Sequence, residues 1–186
     1  MKYLIDNPDF ANALATVFSA LTALIAIGVS VWALWVQRRH NKISVRPIPE
    51  VSMGDGITSI SVKLTNNGFG PLVIRRMRVT KGQESRENII DWMKEHMPEM
   101  DWTNFTSIGP DRTIEPNGEA TLIELTEEPE EQGFAPLREM ARRELSRLVI
   151  TMEYTDVYDS TFATFTRQLD WFSRDHRKGT GKKKRG

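Results

Sequence analysis

Apolar and polar positions along this chain follow three successive patterns. From Phe10 to Val36 no residue is charged, and apolar side chains fall on every face of a helix. A helix that is apolar all round is buried in a large core or spans a membrane. At ~1.5 Å per residue the run reaches roughly 40 Å, beyond the ~30 Å hydrocarbon core, with the surplus taken up by tilt or headgroups. Trp32 and Trp35 stand near its end, where indole rings favour the interface, and Arg38, Arg39 and Lys42 follow at once. A cleaved signal peptide fits poorly. The leader sets Lys2 against Asp6 and Asp9, the apolar run is long, and Trp32-Ala-Leu-Trp35 offers no small-residue cleavage site. The pattern predicts one transmembrane helix over residues 10–37, after a short extracytoplasmic leader of residues 1–9.

Arg46-Pro47-Ile48-Pro49 stops helical continuation, because two prolines remove donors and push their predecessors toward extended geometry. Beyond it the period becomes two. Ile60, Val62 and Leu64 alternate with polar neighbours, and Asn66 to Pro71 has turn chemistry. Leu72 to Val79 predicts a second strand, with an irregular alternation between Ile74 and Met77; the two strands read as a hairpin-like pair. Ala120–Leu125 predicts a strand after the turn Glu115–Gly118, and Leu148–Tyr154 with Thr161–Phe172 predicts a final hairpin around Asp156–Ser160.

A period of 3.6 takes over twice. Arg86–Met97 puts Ile89, Ile90, Met93 and Met97 on one face, with Ser85 as the cap. Pro136–Leu148 spaces Leu137, Met140, Ala141, Glu144, Leu145 and Leu148 helically, with Pro136 at the favoured first position. About six strands and two helices predict an α+β, mainly β, domain over residues 47–172. Its form is a β-sandwich or open barrel with two helical insertions, joined to the membrane helix by a basic linker over residues 38–46.

Composition refines this in two ways. Of 186 residues, those beyond position 42 suffice for one domain with its own core, and the absence of cysteine excludes disulfides and thiolate chemistry. A formal net charge of zero hides an asymmetry. Residues 173–186 carry seven Lys/Arg against one acid, so residues 1–172 are acidic by six. Arg38, Arg39, Lys42 and Arg46 follow the apolar run, and the positive-inside bias then places the N-terminus outside and the large domain in the cytoplasm. In the basic tail, Lys182, Lys183, Lys184 and Arg185 suit anionic lipid, at about 1 kcal/mol per residue near the surface; a solubilising end is the other reading. Duplex nucleic acid is not an expected partner. Within the span, Ala11, Ala15, Ser19 and Ala23 recur four apart and form a stripe along which helices could pack into a homo-oligomer; alanine is also simply common in membrane helices.

The order of these pieces resembles small bacterial single-pass membrane proteins with a cytoplasmic β-sandwich-like domain. "RRHNKISVRPIP", "LTNNGFGPLVI", "IEPNGEATLIEL" and "YTDVYDSTFATFTRQLDWF" carry the resemblance. These are turns and strand faces, so it implies a fold rather than an activity; the inner membrane is the location expected from the apolar run and its charged collar. In architecture the chain also resembles membrane effectors of nucleotide-signalled antiphage defence. That likeness implies a cytoplasmic domain that binds a cyclic nucleotide.

No enzyme signature is present: no GxSxG, no P-loop, no GxGxxG. His40, His96 and His176 have no metal-ligand spacing, so neither a metal site nor a cofactor is expected. Two arginine groups remain. Arg75, Arg76 and Arg78 lie on a strand, and Arg138, Arg142, Arg143 and Arg147 lie on the second helix beside Glu139 and Glu144. They are either a salt-bridged surface or a site for an anionic ligand, whose phosphate would suit forked guanidinium donors. The expectation is a non-enzymatic membrane receptor or effector. Its domain binds an anionic ligand or a protein and controls assembly of the membrane helices. The rival is a passive adaptor that localises a protein partner.

Overall fold

The computed structural model describes residues 8–128 and 133–174, and the chain divides after Ser44 into two compact units. The first holds α1 (Pro8–Ser44), one uninterrupted helix. It is long and apolar enough to cross a membrane, with a mean hydropathy of 2.2 over its most apolar window. The hydroxyls of Thr16, Thr22 and Ser30 each donate to the carbonyl four residues back, at 2.7–2.8 Å. These three hydroxyls are thereby satisfied within the helix. Residues 38–44, expected as linker, are helical, because the chain meets no helix breaker before Pro47.

Among its described residues, the second unit contains eight strands in two antiparallel sheets. β1 (Pro49–Asp55), β2 (Ser59–Asn66) and β6 (Glu119–Thr126) form a three-stranded sheet with β2 central. β3 (Leu72–Lys81) organises the other sheet. It pairs with β5 (Arg112–Ile114) and β4 (Glu84–Arg86) along one edge and with β7 (Val149–Thr155) along the other, and β7 continues to β8 (Phe165–Gln168). Alternation buries Ile60, Val62 and Leu64 from one sheet and Ile74, Val79, Ile150 and Met152 from the other in a single core. Neither sheet closes into a barrel among the described residues, and the arrangement is compatible with a sandwich.

Several expectations are corrected. β2 and β3 are not a hairpin. They lie in different sheets, and the Asn66–Pro71 turn carries the chain across between them. The local hairpin partner of β2 is β1, through the turn at residues 56–58. Strands among the described residues number eight rather than about six, since β4 and β5 are three-residue strands formed by pairing with β3. The irregular alternation in β3 is a bulge, with a register shift between Ile74 and Arg76. The final hairpin is present, but its second strand covers only Phe165–Gln168 before a 3-10 turn over Asp170–Ser173.

Helix boundaries shift for similar reasons. Gly82, at φ 62°, turns the chain into β4, so Arg86 is a strand residue and α2 (Ile89–His96) starts at Asn88 rather than Ser85. Its buried face holds Ile89, Ile90 and Met93, as the spacing predicts, together with Trp92. α3 spans Phe134–Leu145, earlier than predicted, with Pro136 in its first turn. Its buried face is Phe134, Ala141, Arg142 and Leu145; Met140 is 50% exposed.

Candidate functional site

Most of the arginines that the sequence offers as an anion site are engaged by acids of the protein. Arg75, beside the β3 bulge, bridges Asp111 and Asp159. The hydrogen bond to Asp111 raises its pKa further above the ordinary arginine value against the opposing effect of desolvation. Arg76 and Arg78 point outward from β3, and in the register with β7 they stand opposite Glu153 and Thr151.

The α3 arginines separate. Arg138, Arg142 and Arg174 converge on Asp55, at the end of β1, whose side chain is 4% exposed. Arg174 Nη2 lies 2.8 Å and Arg142 Nε 3.3 Å from Asp55 Oδ2, while Arg138 Nε lies 4.0 Å from Oδ1 and its Nη1 donates to the Gly56 carbonyl. Arg142 also reaches Glu139 (3.2 Å) and the Phe172 carbonyl (3.2 Å). This knot pins α3 and the C-terminal 3-10 turn to the edge of the three-stranded sheet. Arg147 pairs with Glu144 at 3.1 Å, and Arg143 is exposed. Arg174, which the sequence assigns to the basic tail, belongs to the folded domain through Asp55. Lys182, Lys183, Lys184 and Arg185 lie outside the described residues. The small-residue stripe and the residues expected at a lipid interface, Trp32, Trp35, Arg38, Arg39 and Lys42, all lie on α1, where the Arg39 guanidinium lies over the Trp35 ring at 5.9 Å.

A large groove lies elsewhere. Its volume is about 1110 Å³, and it is bounded by the end of α2 and residues 97–103, the end of β6, and α3. Met97 and Leu125 are buried at its floor, Met100 and Trp102 pack against the core along one wall, and Leu137 and Met140 form the α3 wall. Glu99, Asp101 and Glu128 stand exposed on the rim. Among the described residues, no Lys or Arg lines it.

Local bonding explains why this loop holds its shape. Asn104 exchanges backbone hydrogen bonds with Glu124 (3.2 and 2.7 Å), and the Thr126 N–H donates to Thr103 Oγ1 at 2.9 Å. The loop is therefore laced to the outer edge of β6. At the α2 end, Lys81 Nζ donates to Glu144 Oε2 (2.7 Å) and to His96 Nε2 (3.0 Å), while His96 Nδ1 lies 3.0 Å from the Trp92 carbonyl. An ammonium group can only donate, so Nε2 accepts and the ring proton sits on Nδ1. Burial pushes the Glu144 carboxyl up, but the Lys81 hydrogen bond and the charges of Lys81 and Arg147 outweigh it and hold Glu144 below its usual value.

Sequence reasoning treats Met97, Leu137 and Met140 as core and passes over Met100 and Trp102. The available signal is Met97-Pro-Glu-Met-Asp-Trp102, which interleaves large apolar side chains with acids. Such a run cannot bury both kinds, so it marks a surface where apolar groups stay accessible. No family model matches the chain, and no curated protein matches it.

Proposed function

We propose that this is a membrane-anchored binding protein without catalytic chemistry, whose globular domain takes a partner in the methionine-lined groove between α2 and α3. The observation that carries the reading is the groove itself: large, apolar at its floor and rimmed by exposed acids. Methionine is unbranched and polarisable, so a wall of Met97, Met100 and Met140 adapts to an incoming apolar surface. A protein partner is favoured over a small anion, because Arg75, Arg138, Arg142 and Arg147 are held in internal ion pairs. In this reading α1 crosses the membrane once. The collar Arg38, Arg39, Lys42 and Arg46 keeps the domain in the cytoplasm.

The test is site-specific photo-crosslinking of the full-length protein in intact cells, with the probe at Met140 and, as control, at Thr65 on the outer face of the three-stranded sheet. A discrete adduct at Met140, lost when Leu137 is replaced by Asp and not formed from Thr65, is the expected result. Identical adduct patterns from both positions, or none from Met140, would overturn it. A reporter fused after Gly186 checks the topology and should be active only as a cytoplasmic fusion.

A further inference from the structure

We propose that the groove partner is an amphipathic helix whose polar face is cationic; the inference rests on the groove being the binding site. Three features select this class. The first is charge: Glu99, Asp101 and Glu128 line the groove without a compensating Lys or Arg among the described residues, so an acidic or phosphorylated segment is repelled and a basic one attracted. The second is the backbone. A strand could add only to an edge with free N–H and C=O groups. Along the β6 edge, however, Glu124 is paired with Asn104, and the Thr126 N–H is taken by Thr103. An incoming segment must therefore satisfy its own backbone, which a helix does.

The third feature is the shape of the apolar surface. At about 1110 Å³ it stands at the upper end of small-molecule sites, roughly 300–1,000 Å³, and has room for a bulkier occupant. Met100 and Trp102 on one wall face Leu137 and Met140 on the other, which suits a row of large apolar side chains spaced i, i+3/i+4, i+7 on one helix face. The exposed rim carboxylates are then left to meet lysines and arginines flanking that row.

Full-length protein in zwitterionic nanodiscs, with its methionine methyls carbon-13 labelled, is titrated with three synthetic 14-residue peptides: a leucine–lysine amphipathic helix, its leucine–glutamate counterpart, and a scrambled leucine–lysine peptide without a continuous apolar face. The leucine–lysine helix should shift the methyl signals of Met97, Met100 and Met140 and leave Met53, Met77 and Met152 unmoved. Its affinity should exceed that of either control at least about tenfold. Reversing Glu99, Asp101 and Glu128 to Lys should weaken it by a similar factor, and these exposed positions leave folding intact.

A glutamate peptide that binds the groove as well as the lysine peptide would overturn the partner's charge while leaving the groove a binding site. A scrambled peptide that binds equally would show that bulk charge suffices and would overturn the helix. Titrations in which no peptide moves the groove methionines would overturn the inference outright, and the crosslinking at Met140 then decides the broader reading separately.

Discussion

Asn66 offers the most demanding test of how the domain is held together. Its side chain is wholly buried at the end of β2 and makes five hydrogen bonds. The two hydrogens of Nδ2 serve three carbonyls, one going to Gly70 (2.8 Å) and the other shared between Ile114 (3.2 Å) and Glu115 (3.2 Å), while Oδ1 accepts from Gly68 N (3.0 Å) and Ile48 N (3.2 Å). One amide thus joins the segment entering the domain, the crossover turn and the loop after β5. Close approach reinforces the joint: a Cβ on Gly70 would fall 1.8 Å from the Val45 carbonyl oxygen, and one on Gly68 would fall 2.3 Å from that of Arg46.

Each internal hydrogen bond contributes about 0.5–1.5 kcal/mol net, and stranded buried partners cost more. Asn66→Ala should therefore cost about 3–5 kcal/mol, a large share of a typical 5–15 kcal/mol. In a domain of this size that corresponds to a fall in Tm of roughly 10–20 °C, read by near-UV circular dichroism of the full chain in micelles. Asn66→Asp sharpens the test. A carboxylate there would face three carbonyl oxygens in a dry site, which raises its folded pKa. A raised folded pKa stabilises below the unfolded value of about 3.9 and is lost as pH rises, so this variant should weaken progressively above pH 4 relative to Asn66→Ala. A melting point for Asn66→Ala within about 3 °C of the parent, or parallel pH profiles for the two variants, would refute the reasoning.

Other consequences are as specific. Glu144 is held below its ordinary value of 4.5; a depressed folded pKa stabilises above the unfolded value, so part of the stability should vanish as pH falls below about 4.5, and Glu144→Gln should flatten that acid limb. Arg142→Met leaves Asp55 to Arg174 and Arg138 and should cost about 1–3 kcal/mol, whereas Arg142→Met with Asp55→Asn should recover a clear fraction in a double-mutant cycle by denaturant titration. On α1, replacing Ala15 and Ser19 with Leu should reduce self-association in crosslinking if that face packs, while matched changes at Leu21 and Ile25 should not; equal behaviour would make α1 an anchor only.

What the sequence discloses and conceals follows from how far apart interacting residues lie. Alternation within six to eight residues makes β2, β6 and β7 legible, and the all-apolar run makes α1 legible. The Asn66 turn misleads because its composition suits a hairpin, yet the side chain of Asn66 is spent on carbonyls some fifty residues later. α3 misleads in a related way. By polarity Arg142 belongs on the solvent face and Met140 in the core. Asp55, far earlier in the chain, draws Arg142 inward and so rotates Leu137 and Met140 toward the groove. The groove is hidden from sequence reasoning because its apolar residues are the same types that fill a core.

On the proposed reading, that rotation also bears on how a membrane-anchored domain would act. α3 is tied down on one side by Asp55 and by the Lys81–Glu144 pair, and on its other side it forms a wall of the groove. β6, which contributes the floor, pairs along its length with β2, and β2 ends on Asn66, the residue that fastens the segment entering from α1. Groove and attachment point are thus built on one continuous sheet with a shared, closely packed core. A ligand drives a conformational change only through an element with two arrangements of different affinity for it. The β6–β2 ladder and the bonds of Asn66 describe one arrangement of this sheet. If occupancy of the groove controls how copies of α1 associate, the more economical device is valency. A partner presenting two cationic helices raises the effective concentration of one α1 beside another without any rearrangement of the domain, and a partner presenting one helix leaves the protein an adaptor.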